Sequence, residues 1–152
     1  MKTKWFALLG VLFLAFTFVA CSGDDDVSSS NLIGTWELEW ESGWYKEDGK
    51  IVEEWDEEAG DIRVHFYDDG TWDQEEYYGK KWYNDGGGIW KLKGSKLTLY
   101  DDDFEDGWDE AESANIVTLN NTTLILEHAD KEVDDGVTCI EYNKQTYRRI
   151  SE

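Results

Sequence analysis

The sequence predicts an all-β fold, an antiparallel up-and-down barrel of about eight strands. Three observations lead there. Apolar residues recur with period 2 rather than 3.6, tight-turn residues stand between the alternating runs, and no segment carries a helical stripe. The 152-residue chain also contains no proline.

The first run alternates Trp36, Leu38 and Trp40 with Glu37, Glu39 and Glu41. In the next, Ile62, Val64 and Phe66 alternate with Arg63, His65 and Tyr67. Trp90 and Leu92 alternate with Lys91 and Lys93, Leu97 and Leu99 flank Thr98, and Leu124 and Leu126 alternate with Ile125 and Glu127. Successive side chains of a strand point to opposite faces, so each run offers one inner face and one wet face. Asp48-Gly49, Asp69-Gly70, Asp85-Gly86, Gly94-Ser95, Asn120-Asn121 and Asp135-Gly136 read as hairpin turns, because Gly, Asn and Asp tolerate positive φ. Asp101 to Ser113 is the least strand-like stretch and reads as a long loop or a short helical turn. Sequential strands of this number avoid exposed edges by closing on themselves.

The N-terminus is a different kind of segment. Lys2 and Lys4 precede an apolar run from Trp5 to Ala20, and Ser22-Gly23-Asp24-Asp25-Asp26 ends it too early for a membrane-spanning helix. Phe18-Val19-Ala20-Cys21 resembles a lipobox, at which the leader is cleaved and the cysteine thiol receives diacylglycerol; Phe18 departs from the usual Leu. The plainer alternative is an ordinary secretory signal beside an incidental cysteine, but Cys21 sits where lipid processing needs it. The expected organisation is a signal peptide over 1–20, a lipidated cysteine and flexible acidic tether over 21–30, and a barrel domain over 31–152. Each buried CH₂ contributes roughly 0.8 kcal/mol, so several acyl chains hold a protein to a membrane without help from its fold. Asp24-Asp25-Asp26 also resembles the signal that exports lipoproteins of Bacteroidetes-type bacteria to the outer surface; its alternative is plain linker solvation. The expected location is the cell envelope, as an outer-membrane lipoprotein exposed at the surface.

Composition excludes several functions. The formal charge is −21, and loss of residues 1–20 removes two lysines and no acids, giving −23. Such a chain repels nucleic acid phosphate and anionic headgroups. Disorder is countered by 15% aromatic residues, with eight of the nine tryptophans after Cys21. Once Cys21 is lipidated only Cys139 remains, so no intrachain disulfide can form.

Several stretches carry a resemblance. Leu32-Ile33-Gly34-Thr35-Trp36-Glu37-Leu38 looks like the Gly-x-Trp opening strand of lipocalins. The runs from Phe66 to Trp72, Gly88 to Leu99 and Ile116 to Glu127, with the closing Tyr147-Arg148-Arg149, are similar to later strands of the bacterial lipocalin-like domain family. The resemblance covers about Asn31 to Ile150 and implies a lipocalin-like β-barrel. It implies little about activity. It also implies that Gly34 lets the chain bend at the barrel mouth, that Trp36 plugs the closed end, and that Arg148 or Arg149 packs over that indole.

Four kinds of site can be weighed. Trp40, Phe66, Trp72, Trp90, Leu99 and Leu126 are predicted to point inward. An eight-stranded barrel either fills with such side chains or leaves room for one small ligand, and aromatic walls suit an apolar, aromatic or sugar ring. Outside that set, Trp44, Tyr45, Trp55, Tyr77, Tyr78, Trp82, Tyr83 and Trp108 fall in or beside predicted loops. They are either surface contacts for a protein or glycan partner or small clusters that close the barrel ends. Asp101 to Glu110 has the oxygens calcium needs, but an EF-hand alignment on Gly107 puts Phe104 and Ser113 at ligand positions, so a solvated acidic loop is the better reading. Catalysis has few actors: His65 on an outward parity, His128 on an inward parity, and Cys139 in a strand-like run. A Cys139–His128 pair is the one arrangement to check; otherwise the thiol is buried and inert. No metal or other cofactor is expected, because three or four His or Cys ligands at suitable spacing are lacking, with irregular calcium binding by the Asp101–Glu110 loop kept as a third alternative function.

The expected function is therefore non-catalytic binding by a lipid-anchored barrel, of a small apolar, aromatic or glycan ligand. The rival is a solid barrel whose surface meets another protein.

Overall fold

A computed structural model of the chain describes residues 27–101 and 111–151. One short helix, α1 (Ser29–Leu32), precedes nine strands. These are β1 (Gly34–Glu47), β2 (Lys50–Glu58), β3 (Ile62–Phe66), β4 (Thr71–Tyr78), β5 (Lys81–Lys93), β6 (Lys96–Asp101), β7 (Ala111–Leu119), β8 (Thr123–Asp134) and β9 (Val137–Ser151). All pairings are antiparallel. β3 to β9 follow one another in order, and β9 returns along the length of β1 from Thr35↔Ser151 to Glu47↔Cys139. That pairing closes an eight-stranded barrel.

The ninth strand is the addition to the predicted count. β1 meets β3 over Gly34–Glu37 and β2 over Trp40–Glu47, so β2 flanks only the far half of β1. Apart from Ile51, Val52 and Trp55 its residues are charged, which leaves no alternation to read.

The turns sort into two ends. Residues 67–70, 94–95 and 120–122 join strands at one end, together with α1; residues 48–49, 79–80 and 135–136 join them at the other. Asp85-Gly86 is not a turn: Gln74 pairs with Gly86 and Glu75 with Asn84, so Asp85 is an extra residue bulged out of β5. The actual turn is Gly79-Lys80, both at positive φ. A bulge and a turn ask for the same left-handed backbone, here Gly86 at φ 148°, and so share a sequence signal.

The core lies at the α1 end. Leu32, Trp36, Leu38, Val64, Phe66, Leu97, Ile116, Leu124, Leu126 and Tyr147 form one buried cluster. Full burial of Leu32, Leu38, Leu97 and Leu124 contributes about 1.5–3 kcal/mol each. The indole of Trp36 is fully buried and donates from Nε1 to the Leu32 carbonyl oxygen at 2.8 Å. The Arg149 guanidinium lies 4.3 Å from the Trp36 ring and donates to the carbonyls of Ile33 and Asn31. Arg149 is thus the one that packs on the indole. Arg148 faces outward, 3.3 Å from Glu37 and 2.7 Å from Glu39. Gly34, at φ 134°, opens β1 at this closed end rather than at the mouth.

A cavity at the open end of the barrel

One irregularity in β1 decides what faces the interior. Leu38 pairs with Tyr147, but Trp40 pairs with Thr146, so Glu39 is a β-bulge. Because side-chain direction alternates, one extra residue exchanges the two faces of everything beyond it. Trp40, predicted to point inward, therefore points out. It is 41% exposed and donates from Nε1 to Asp56. Glu41, Gly43 and Tyr45 turn inward, opposite Gln145, Asn143 and Glu141. Glu41 Oε1 accepts hydrogen bonds from Asn143 Nδ2 and Gln145 Nε2.

Above the core this interior is open. A cavity of about 600 Å³ runs from the core toward the mouth, within the ~300–1,000 Å³ typical of ligand sites. Its floor is apolar, made by Val64, Phe66, Leu97, Leu99, Leu124 and Leu126. Tyr147 stands at the floor's edge, 5% exposed, and donates from its hydroxyl to Gln145 Oε1 at 3.1 Å. Burial, with smaller contributions from Glu41 and Glu112, raises the Tyr147 phenol well above its ordinary pKa. The upper wall is polar: Gln74, Glu112, His128, Asp130, Glu141 and Asn143. His128 Nδ1 lies 2.7 Å from the Ser113 carbonyl oxygen, which makes Nδ1 the donor.

The six residues predicted for the interior are divided. Phe66, Leu99 and Leu126 line the cavity. Trp72 and Trp90 pack against the core without lining it. Trp72 Nε1 donates to the Tyr100 carbonyl oxygen at 3.3 Å, across Gly88 of the intervening strand. The Trp90 ring meets Phe66 edge-on at 6.1 Å and donates to the Tyr67 carbonyl oxygen. The indoles lie along the wall, and this is how a barrel so rich in tryptophan keeps a cavity.

The predicted surface aromatics among the described residues lie in strands rather than loops and do not form one patch. Trp44 stacks on Tyr142 at 5.6 Å on the outer face, with Lys46 Nζ 3.8 Å from its ring. Tyr45 shares the inner face with Cys139, and a hydrogen bond to that thiol, ahead of desolvation, pushes its pKa up to about 12. Trp55 sits opposite Gly43, where any Cβ would strike the Trp55 ring and the Tyr142 carbonyl oxygen. Tyr77 and Trp82 pair across β4 and β5 at 5.1 Å, and the Arg63 guanidinium lies 3.8 Å from Trp82. Tyr78 and Tyr83 are exposed. Trp108 and residues 102–110 of the acidic segment lie outside the described residues, although their flanks, Asp101 and Ala111, are both at the open end.

The histidines and Cys139 form no catalytic pair. His128 pairs with Asn143 and Cys139 with Glu132, four residues further along β8, or about 13 Å at strand rise. His65 lies on the outer face with Nδ1 3.0 Å from Thr35 and Nε2 3.1 Å from Glu75. No group of three or more His, Cys, Asp or Glu able to hold a metal ion occurs among the described residues.

Fold and cavity together define a class: an antiparallel up-and-down barrel, plugged at one end by tryptophan and arginine and open at the other. The model of the lipocalin-like domain family matches residues 32–126, and the chain belongs to that family. Its structure is similar to that of a lipocalin-like protein from Bacteroides uniformis, with a TM-score of 0.53 and 18% identity, covering 79% of this chain and 99% of that one. An uncharacterized protein from Bacteroides eggerthii matches at a TM-score of 0.49 and 15% identity, over 77% of this chain and 98% of that one. At these identities the likeness concerns the fold. No curated protein matches the chain.

Proposed function

We propose that this protein is a lipid-anchored envelope lipoprotein whose barrel binds a small molecule without transforming it. The observation that carries the reading is the cavity of about 600 Å³ on an apolar floor. A solid barrel acting only through its surface would have no use for it. The floor suits the apolar or aromatic part of a ligand, and a sugar ring fits against Phe66 and Tyr147 equally well.

The anchor fits the same reading. Processing at Cys21 leaves the seven residues 22–28 between the lipid and α1, a reach of at most about 25 Å. Since α1 lies at the closed end, the tether turns that end toward the membrane and the mouth away from it. With the acidic triplet read as an export signal, the mouth opens to the cell exterior. The acidic run Asp101–Glu110 is read from its sequence as a solvated segment without bound calcium, so added calcium should leave the melting temperature unchanged.

The test is native mass spectrometry of the protein purified from its own host. A co-purified small molecule, released by the cavity-filling change Ala114→Trp, is the expected result. Repeated absence of any bound molecule, together with capture of one protein partner on the Trp44–Tyr142 face, would favour the surface-contact alternative. Treatment of intact cells with protease tests the location: a protein digested only after lysis is not surface-displayed.

A further inference from the structure

The protein's positive charges are distributed unevenly between the two faces of the barrel. On the outer face several acids have bases. Glu37 pairs with Arg63 at 2.7 Å and with Arg148, Glu39 pairs with Arg148, and Glu127 lies 4.0 Å from Lys144. Lys91 and Lys46 are outside too, over Tyr100 and Trp44. On the inner face above the core the pattern reverses. Glu112, Asp130 and Glu141 line the cavity and Glu41 stands behind them, while no lysine or arginine lines it. Among the described residues, none of these four carboxylates has an ion-pair partner.

The register makes the arrangement costly. Asp130 and Glu141 are direct cross-strand neighbours on the same face, and like charges so placed destabilise a sheet. The bulge at Glu39 adds Glu41 to that face where the uninterrupted strand would have put Trp40. A barrel with twelve basic residues after its leader places none of them where the inner acids would gain most. A bound metal ion does not account for the arrangement, since the described residues hold no metal-sized cluster. The deep wall meanwhile stays apolar, and Gln74, Asn143 and Gln145 mark the level where it changes.

We infer that the cavity selects small organic cations, amines with an apolar body, held with the body on the Phe66–Leu126 floor and the ammonium toward Glu112, Asp130 and Glu141. This rests on the proposal that the cavity is a ligand site and adds the sign of the ligand's charge. An ammonium donates to carboxylates and relieves their mutual repulsion, whereas a fatty carboxylate would add to it.

The test uses three probes of one chain length, octylammonium, octanol and octanoate, titrated calorimetrically at neutral pH and 150 mM salt. The protein is the chain from residue 21 carrying Cys21→Ser, which keeps it free of lipid. Octylammonium should bind about tenfold more tightly than octanol, with octanoate weakest, as expected for a few partly screened charge contacts. The triple variant Glu112→Gln, Asp130→Asn, Glu141→Gln should bring the three affinities together. A control with the same charge change on the outer face of β2, Glu54→Gln, Asp56→Asn, Glu58→Gln, should preserve the preference. Equal affinities in the unaltered inner wall would overturn the inference and leave a barrel ligand site standing. Binding of none of the three would overturn both. A cation preference that survives the inner-wall variant, or falls equally in the β2 control, would assign it to overall charge and overturn the inference.

Discussion

Replacement of Trp36 tests how the closed end is held together. Its side chain is fully buried and makes three separable contributions: packing within the core cluster, the Nε1 hydrogen bond to Leu32, and the face offered to Arg149. Trp36→Phe keeps a ring under the guanidinium but leaves the Leu32 carbonyl without its donor, at a cost of about 1–3 kcal/mol. Trp36→Ala removes all three and leaves a cavity, about 3–5 kcal/mol for a buried aromatic. Against a total of about 5–15 kcal/mol for a typical domain, the alanine variant is close to the limit of folding. Urea denaturation followed by far-UV circular dichroism measures both without relying on the fluorophore that has been removed. A double-mutant cycle that combines Trp36→Ala with Arg149→Met, which removes the charge, measures the Trp36–Arg149 coupling, expected at about 0.5–2 kcal/mol. A loss below about 1 kcal/mol in Trp36→Ala would refute the view that this residue plugs a packed end.

Other outcomes follow from particular contacts. Gly43→Val should cost about 1–3 kcal/mol in urea denaturation, because any Cβ there meets the Trp55 ring and the Tyr142 backbone; a neutral result would mean β2 is free to move away. The Tyr67 hydroxyl donates to Asp73 at 2.8 Å, and that hydrogen bond, with desolvation behind it, raises the phenol to about 12. The folded value lies above the unfolded one of about 10, so this contribution is complete below pH 10 and lost as pH rises through about 12. Tyr67→Phe should therefore lose less stability between pH 10 and 12 than the unaltered chain, and parallel slopes would count against the bond. Ala114→Trp should abolish octylammonium binding by filling the cavity, with the circular dichroism spectrum retained; unchanged binding would place the probe elsewhere. Cys21→Ala should move the protein from the membrane fraction to the soluble one, and persistence in the membrane fraction would argue against the lipid anchor.

The closed half of the barrel was legible in the sequence because there the two faces differ chemically. Val64 and Phe66, and Leu97 and Leu99, alternate with polar residues, Leu124 and Leu126 alternate with Ile125 and Glu127, and all lie where that alternation puts them. The resemblance carried the pairing of Trp36 with an arginine, and the structure chooses Arg149. The open half was harder to read. Its strands carry polar residues on both faces, so Lys50–Glu58 gave no period and the aromatics from Trp44 to Trp55 read as loop residues. The bulge at Glu39 was invisible for a related reason. Trp36, Leu38, Trp40 and Trp44 continue one apolar parity in sequence, and only the β9 register shows that the chain has changed face between the second and the third. Trp40 was therefore assigned to the wrong face.

That single extra residue separates two jobs that one strand must do. Before Glu39, β1 supplies the barrel's plug; after it, the same strand turns Glu41, Gly43 and Tyr45 inward, and Glu41 holds the cavity-lining Asn143 and Gln145. Pairing of Glu39 into the ladder in place of the bulge would exchange these for Trp40, Ser42 and Trp44 while leaving the Gly34–Leu38 segment in place, whereas deletion of Glu39 would straighten the strand and keep Glu41 inward. Within this fold, then, what faces the interior can change by a shift in register rather than by a change in composition. The register of the first strand against the last, beyond the Gly-x-Trp segment, becomes a quantity to compare across related barrels when asking what each one holds.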